Sequence, residues 1–550
     1  MPPNKLFFGF FFILMLGQTL LGQDEVPASL RMSEEYKIPA NTAFNRVISA
    51  DEDYVYILRE SYAAVSKRLT SVIVETYDVK TLKLKRASDI ALKYQKKLRV
   101  FHDIFEINDK FYLITSYFNS AKNKNFLFAQ RLNVKFEPEE ALILIGEIDS
   151  RNESKIGDFH FEQSRDSSKV VVYHDLPTKR SEQQESKLSV YNDNFELLWD
   201  KKIFFPVESK LFDLIKFSVD NNGNGYLLGK RYFEKAKDKV KGLPNFEYVL
   251  EVYSEKGESK QRYQLKDRVK FISDLTFEVS KKGEIICTGF YTNRLVASRL
   301  NTFNDEAESI EGIVYFKIDI EKQVIEEKKF TAFDLDFITL NSSERQRRKA
   351  ERRQSDNNEF NDPQLYSYSF RDVILRSDGG AVIIAEQYYE TRFNSNFDNG
   401  FNPAFQNNTF REVIEYNYND VIVVNINPDG SIRWANAVPK YQSSTQLGEL
   451  KYFSFANANI QDRIYILFNE DRRVFESDSN SIFNSRGLKN QALALAEINK
   501  TGELNIFMLG AFDTIQSLVL PTQTTQIGKK ALLIYGEVRN YFRIGTVSLD

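Results

Sequence analysis

The sequence predicts an all-β fold that consists of consecutive four-stranded antiparallel units. Residues 420–440 (DVIVVNINPDGSIRWANAVPK) show the repeated element, because apolar and β-branched residues alternate on both sides of a turn at Pro428-Asp429-Gly430. Such a pattern is typical of a β-hairpin, and similar hairpins recur along the chain. Aromatic residues make up 14% of the sequence, with 45 Phe and 28 Tyr, and this composition favours pleated sheets.

Length and charge limit the class of protein. At 550 residues the chain exceeds what one compact core supports, so it forms several domains or an array of repeats, and the recurring hairpins favour the array. The 74 basic and 77 acidic residues give a formal charge of −3, without the basic field that nucleic-acid binding requires. We therefore expect no nucleic-acid partner. Cys287 is the only cysteine, so no intrachain disulfide can form.

Residues 1–22 have the pattern of a secretory signal peptide. Lys5 precedes an apolar run from Leu6 to Leu16, and Gly22 offers a small residue before the cleavage point. The apolar run is too short to span a bilayer. We therefore predict a single mature domain over residues 23–550, without a transmembrane span, that is exported to the periplasm, the cell surface or the extracellular space.

The first unit of the mature chain shows how each repeat is built. Its four strands are predicted at Phe44–Ala50, Tyr54–Leu58, Ser71–Tyr77 and Leu82–Lys85, with one tight turn inside each pair. The turn between the first two strands recurs in eight units. Its first five copies lie near positions 52, 108, 167, 222 and 282, which are 56, 59, 55 and 60 residues apart. The turn between the last two strands recurs in seven units.

This layout resembles that of β-propellers, in which each blade is a four-stranded meander. The resemblance covers nearly the whole mature chain and implies eight blades. The eighth unit ends at its third strand, Tyr541–Leu549, and the segment Leu30–Ile38 has no hairpin partner beside it. We predict that this segment supplies the missing outer strand, because pairing the two termini closes the ring and leaves no open sheet edge.

Three insertions lengthen the later units. They are residues 336–364 between units five and six, residues 389–416 between the second and third strands of unit six, and residues 470–490 at the same place in unit seven. In an up-and-down blade, these two kinds of connection emerge on the same face. Because loops on a rigid scaffold often carry function, we interpret the protein as a non-catalytic platform that binds a protein or polysaccharide partner of the cell envelope through this face.

Two insertions contain candidate binding residues. In the first insertion, Ser343 and Gln346 predict a capping box that starts a helix, and the candidate cations are Arg345, Arg347, Arg348 and Arg352. This segment is either a solvated arm or a docking site for an anionic partner. The candidate aromatic residues of the second insertion are Phe393, Phe397, Phe401 and Phe405. They form either an exposed contact surface or a loop that folds back on its own blade.

The remaining chemistry-bearing residues are few. His102 and His160 lie on predicted first strands, which line the channel of a propeller; they are either a weak metal or acid–base pair, or ordinary histidines. Asp220-x-Asn222-x-Asn224-Gly225 matches the start of a calcium loop, but Arg231 occupies the twelfth position, where a carboxylate is required. We therefore predict no metal site.

Trp199 and Trp434 lie at equivalent places in two units, which predicts a packing role between neighbouring blades. The run Asn427–Trp434 resembles the repeat of quinone-cofactor dehydrogenases, which are eight-bladed, and the aspartate box of sialidases. The chain has only these two tryptophans, and Asp429 and Gly430 are adjacent where the aspartate box separates them. We therefore expect no cofactor and carry over neither activity.

A hydrolase is the alternative function. It would use carboxylates around the channel, for which the candidates are Asp103, Asp175, Glu386 and Glu537. A carboxylate pair about 5–10 Å apart, with one raised pKa, would favour this alternative. The sequence leaves the identity of the partner and the oligomeric state open.

Overall fold

The computed structural model describes residues 26–549, except residues 151, 154–155, 177–182, 234–245, 268–269, 293–308, 356–363, 397–409 and 477–489. The predicted signal peptide, residues 1–22, lies outside the described residues. The described strands form eight consecutive antiparallel sheets of four or more strands, and two further sheets of two short strands each. Together the sheets make an eight-bladed β-propeller, as the sequence predicts.

In each blade the strands are named a to d, from the channel outwards. The strands of blade 1 are Thr42–Ala50, Tyr54–Tyr62, Leu69–Asp78 and Leu84–Ala91. Those of blade 2 are Val100–Ile107, Lys110–Asn119, Lys124–Leu132 and Ile143–Asp149. Those of blade 3 are Asp158–Gln163, Lys169–Asp175, Gln183–Asn192 and Leu197–Glu208. Those of blade 4 are Phe212–Val219, Gly225–Tyr232, Phe246–Ser254 and Ser259–Leu265.

The later blades are more elaborate. The strands of blade 5 are Phe271–Val279, Ile285–Thr292, Gly312–Asp319 and Val324–Ala332. Those of blade 6 are Tyr368–Leu375, Ala381–Asn396, Phe410–Ile426 and Ile432–Val438. Those of blade 7 are Ala456–Ile460, Arg463–Asp471, Gln491–Ile498 and Leu504–Ala511. In blade 8, the short strands Leu518–Val519 and Thr525–Ile527 both pair with Ala531–Val538, which is followed by Tyr541–Leu549 and Ala28–Met32.

Short elements connect the blades. The described α-helices are Leu335–Ile338, Glu344–Ser355, Arg473–Glu476 and Phe512–Ile515, and the described 3-10 helices are Ser209–Leu211, Glu255–Gly257, Leu447–Tyr452 and Pro521–Gln523. Further short strands are Tyr36–Lys37, Lys93–Tyr94, Lys97–Leu98, Ser309–Ile310, Leu365–Tyr366 and Gln442–Ser444. In the part of the chain that the structure describes, no helix combines the length and the apolar character needed to cross a membrane.

The two ends of the chain close the ring. Ala28–Met32 pairs with Tyr541–Leu549, with Ala28 opposite Leu549 and Met32 opposite Gly545, and Tyr36–Lys37 extends the pairing. This confirms the predicted closure. Blade 1 then packs on blade 8 through Arg59, whose buried guanidinium pairs with Glu75 at 2.8 Å and lies 4.2 Å from the ring centre of Phe542.

Apolar side chains fill the spaces between neighbouring blades. The cluster between blades 4 and 5, for example, contains Tyr226, Leu250, Phe277 and the buried Cys287. Because each sheet is covered on both faces, the central strands are apolar along most of their length, as expected for strands buried on both sides. The resulting scaffold fixes the positions of the loops.

The two tryptophans lie between neighbouring blades. Trp199 of blade 3 donates from Nε1 to the carbonyl of Gly223 at 2.8 Å and packs on Gly257, in the c–d turn of blade 4. Trp434 of blade 6 donates to the carbonyl of Lys500 at 3.1 Å and packs on Gly502, in the c–d turn of blade 7. Gly257 and Gly502 have φ of 82° and 90°, so a side chain there would be strained as well as too close to the indole.

The ring has two different faces. The a–b and c–d turns are short and lie together on one face, which we call the short-turn face. The b–c loops and the blade-to-blade connections lie on the opposite face, which we call the insertion face. The three predicted insertions all belong to the insertion face, because two are b–c connections and one joins blades 5 and 6.

Candidate functional site

The most prominent feature of the insertion face is a β-ribbon that extends strands b and c of blade 6. Strand a pairs with strand b only as far as Gln387, and strand d pairs with strand c only from Val421 onward. Residues 388–396 and 410–418 therefore continue as a β-ribbon, about 30 Å long at the usual rise per residue. Gln442–Ser444 pairs with residues 416–418 at its base, and beyond residue 390 the ribbon is two-stranded. The sequence predicted an insertion here, and the structure shows that much of it continues the sheet.

The ribbon exposes aromatic side chains. Phe393, opposite Val413, is 43% exposed, and Tyr389 is 37% exposed on the same side of the strand. The other three aromatic candidates, Phe397, Phe401 and Phe405, lie outside the described residues. The described part of the ribbon thus presents Phe393 to solvent instead of folding it back onto the blade.

The first insertion contains the predicted helix, Glu344–Ser355. Its capping box is confirmed, because the backbone N–H of Ser343 donates to Gln346 Oε1 at 2.9 Å and the N–H of Gln346 donates to Ser343 Oγ at 3.4 Å. None of the helical residues is buried. An ion pair of 2.7 Å between Arg347 and Asp336 tethers the helix to the preceding segment.

One side of this helix forms a groove lined by cations, which we call the basic groove. Its volume is about 370 Å³, and it is lined by Glu344, Arg345, Arg348, Lys349 and Arg352. Arg348 pairs with Glu344, whereas Arg345, Lys349 and Arg352 form no ion pair with any residue that the structure describes. Residues three, four and seven positions apart share one helical face, which explains why these cations converge.

Three of the four predicted arginines therefore line the groove, and one does not. Arg347 points away from it and is neutralised by Asp336 and Glu351, at 2.7 and 3.5 Å. Sequence reasoning did not single out Lys349, although helical spacing from Arg345 would have identified it.

A buried charge network lies beneath the insertions, between blades 6 and 7. The Lys440 side chain is fully buried, and its Nζ lies 2.9 Å from Glu386 and donates to the carbonyl of Tyr418 at 2.9 Å. Burial lowers the pKa of Lys440, although the charge of Glu386 opposes this change. Glu386 also pairs with Arg371 at 2.6 Å and accepts from Ser454 Oγ at 2.7 Å.

The same network anchors the insertions. Asp420 accepts from Asn341 Nδ2 of the first insertion at 2.9 Å, and burial raises the pKa of Asp420. Burial also raises the pKa of Glu470, at the start of the third insertion, to about 7. The sequence analysis did not identify Lys440 and Glu470 as members of a network. The only feature that marks them in the sequence is a charged side chain next to an apolar strand.

A cavity of about 420 Å³ lies in the central channel at the short-turn face, lined by strands a and a–b turns of blades 3 to 6. Neither predicted channel histidine lines it. His102 is half-buried, with Nε2 2.8 Å from Ser116 Oγ, and burial lowers its pKa to about 4. The exposed ring of His160 lies 6.2 Å from the ring of Tyr173 and 6.5 Å from that of Phe217.

Three of the four carboxylates named for a hydrolase form ion pairs. Asp103 pairs with Arg46 at 2.6 Å, Glu386 with Lys440 and Arg371, and Glu537 with Lys451. Asp175 is the last residue of strand b in blade 3.

In the described parts of the chain, no three His, Cys, Asp or Glu side chains converge as ligands. The calcium-like segment is a hairpin turn instead. The carboxylate of Asp220 accepts from the backbone N–H groups of Asn222 and Asn224, at 2.9 and 2.8 Å, and from the hydroxyl of Tyr226 at 2.9 Å.

Comparison with known proteins finds only distant structural matches. No family model matches the chain, and no curated protein matches it. Among solved structures, the WD40 domain of SCAP from fission yeast is 8% identical with a TM-score of 0.38, over 95% of both chains. Prolyl oligopeptidase B from Galerina marginata is 9% identical with a TM-score of 0.37, over 92% of this chain and 55% of that one. A protein of unknown function from Bacteroides caccae is 9% identical with a TM-score of 0.26, over 69% and 93%.

Proposed function

We propose that this protein is an exported, non-catalytic binding platform that holds a protein or polysaccharide partner of the cell envelope through the insertion face of blades 5 to 7. The partner carries anionic groups that enter the basic groove. The periplasm, the cell surface and the extracellular space are the compartments consistent with the N-terminal pattern of residues 1–22.

The observation that carries this proposal is the basic groove. Arg345, Lys349 and Arg352 lack acidic partners among the described residues, and the helix that bears them buries no side chain. A helix that is polar on all sides gains nothing from packing and is marginal in isolation. Its capping box and its tether at Asp336 nevertheless hold the cations in one arrangement, which suits recognition of carboxylate, sulfate or phosphate groups by Arg.

The neighbouring ribbon supports the same assignment. Exposed aromatic residues such as Tyr389 and Phe393 are enriched where proteins contact partners, and both lie on an element that protrudes from the ring. The buried ion pair of Lys440 and Glu386 fixes the base of the ribbon, because breaking a buried pair leaves an uncompensated charge. A rigid base that carries exposed aromatic side chains suits binding more than packing.

The experiment compares capture of envelope partners by wild-type protein and by a triple variant, Arg345→Ala, Arg348→Ala and Arg352→Ala. The control is Lys282→Ala, Lys500→Ala and Lys529→Ala, which removes the same charge from exposed turns of the short-turn face. We expect the arginine variant to lose partner capture. The affinity of the wild-type protein for its partner should fall as salt is added. Equal capture by both variants, or loss in the lysine control alone, would refute the proposal.

A further inference from the structure

The channel cavity offers a second site, on the face opposite the basic groove. Strand a of each blade pairs only with strand b, so its other edge presents backbone N–H and C=O groups to the channel. Side chains already use some of these acceptors. Gln163 donates to the carbonyl of Glu106 at 3.0 Å, and Lys216 donates to that of Phe277 at 2.9 Å.

Polar side chains converge on the cavity from four blades. Lys216 of blade 4 forms an ion pair with Glu278 of blade 5. Asp372 of blade 6 accepts from Asn457 Nδ2 at 2.6 Å, which fixes its orientation. Glu162 of blade 3 makes no hydrogen bond or ion pair with any described residue, so its carboxyl group is available to a ligand.

The charges around the cavity nearly cancel. Four acidic side chains face three basic ones, and these residues are Glu162, Asp220, Glu278, Asp372, Arg165, Lys216 and Lys281. Such a balance gives no strong field to attract an ion. Phe217 of blade 4 and Val373 of blade 6 add apolar atoms to the lining.

We propose that this cavity binds a small, neutral, hydroxyl-rich molecule, namely a mono- or disaccharide. Hydroxyl groups both donate and accept, so they match carboxylate acceptors, the Lys216 donor and the two kinds of backbone group at the strand edges. The C–H faces of a sugar ring match the apolar wall at Phe217. The volume of about 420 Å³ lies within the range of small-molecule sites, which combine apolar walls with a few convergent polar groups.

The test uses saturation-transfer NMR and thermal shift on the full folded chain. The probes are glucose, galactose, N-acetylglucosamine, maltose and cellobiose at millimolar concentration, with putrescine as the cationic and acetate as the anionic comparison. We expect at least one saccharide to bind, and Glu162→Ala to weaken that binding roughly tenfold, as the loss of a charged hydrogen-bond acceptor does. Glu162 is exposed to the channel, so the variant should keep the melting temperature of the wild type.

The control variant is Arg345→Ala in the basic groove, which should leave saccharide binding unchanged. Saccharide signals that are absent for every probe, or unaffected by Glu162→Ala, would overturn the inference, and so would tighter binding of putrescine or acetate. The effect of Glu162→Ala on saccharide binding tests the channel site separately from the proposed envelope partner, because the two sites lie on opposite faces of the ring.

Discussion

At the scale of single residues, His174 makes the stability of the packing between blades 2 and 3 depend on pH. Its side chain is fully buried and lies against Gly146 and the ring of Phe159. Neither ring nitrogen has a hydrogen-bond partner among the described residues. Burial lowers the pKa of His174 to about 3, with Lys187 adding to this effect and Asp200 opposing it. The neutral imidazole therefore packs here as an apolar ring.

The protein should lose stability as pH falls because of His174. In the unfolded chain its pKa is near 6.5, so between pH 6.5 and about 3 the unfolded state binds the proton that the folded state excludes. The loss at pH 5 relative to pH 8 should be about 2 kcal/mol. Urea unfolding of wild type and His174→Leu at both pH values measures it. Equal pH dependence in the two proteins would contradict the prediction.

The two tryptophans should differ in their contribution to stability. Trp199 is 7% exposed, so Trp199→Ala should lower the free energy of unfolding by about 3–5 kcal/mol. Trp434 is only half-buried, so Trp434→Ala removes less apolar area from the interior. This variant should therefore lower the melting temperature and the free energy of unfolding by less than Trp199→Ala does. Chemical denaturation of both variants checks the order, and a larger loss for Trp434→Ala would show that the half-exposed indole carries more packing energy.

At the scale of elements, the capping box determines how well the basic groove is formed. Ser343→Ala removes the N-cap of a helix that buries none of its side chains, and should cost the helix about 1 kcal/mol of stability. Amide hydrogen exchange should then become faster over residues 346–352, and affinity for the anionic partner should fall. Ser342→Ala is the control, because the hydroxyl of Ser342 makes no cap. Unchanged exchange in Ser343→Ala would mean that other contacts hold the helix.

The ribbon gives a second prediction at this scale. In blade 6, strand a pairs with strand b only as far as Gln387, and strand d pairs with strand c only from Val421 onward. Deletion of residues 394–408 should therefore leave the melting temperature close to that of the wild type, while partner capture is lost because most of the second insertion is removed. Thermal unfolding and the capture assay measure the two effects. A collapsed fold would show that the tip packs on its own blade.

How far the sequence predicts each element depends on how local its signal is. The helix start at Ser343 depends on four residues, and the short turns on two or three, so both were predictable. The ribbon was not, although Tyr389, Thr391 and Phe393 alternate with polar residues as a strand should. The network of Lys440, Glu386 and Glu470 was also missed, because it joins residues that are far apart in sequence and meet only when blades 6 and 7 pack.

At the scale of the whole molecule, the fold was predictable because the same pattern of strands and tight turns recurs in eight units of the sequence. The channel cavity was not, because its lining comes from four blades and depends on the width of the ring. The same closure that sets this width joins Ala28–Met32 to Tyr541–Leu549. The ring therefore depends on a strand that lies more than five hundred residues from its partner in sequence.

This seam offers a direct test of closure. Ser29 and Ser548 are directly opposite each other, and both side chains are exposed. Directly opposite residues of an antiparallel pair have Cα atoms about 4.5–5.5 Å apart, within the range of about 4.4–6.8 Å that a disulfide requires. Ser29→Cys with Ser548→Cys can therefore form a bond, and Cys287 does not compete because it is buried in the core between blades 4 and 5.

The oxidised double variant should be more stable than its reduced form by about 2–4 kcal/mol, because the crosslink restricts a very long loop in the unfolded chain. Melting with and without reductant measures the difference, and the Ser29→Cys single variant controls for the substitution itself. If the terminal strand separated from blade 8 long before the ring unfolded, reductant would leave the main transition unchanged. A shift of that transition instead means that the ring opens and unfolds as one cooperative unit. The contacts of the seam then contribute to the stability of the whole ring.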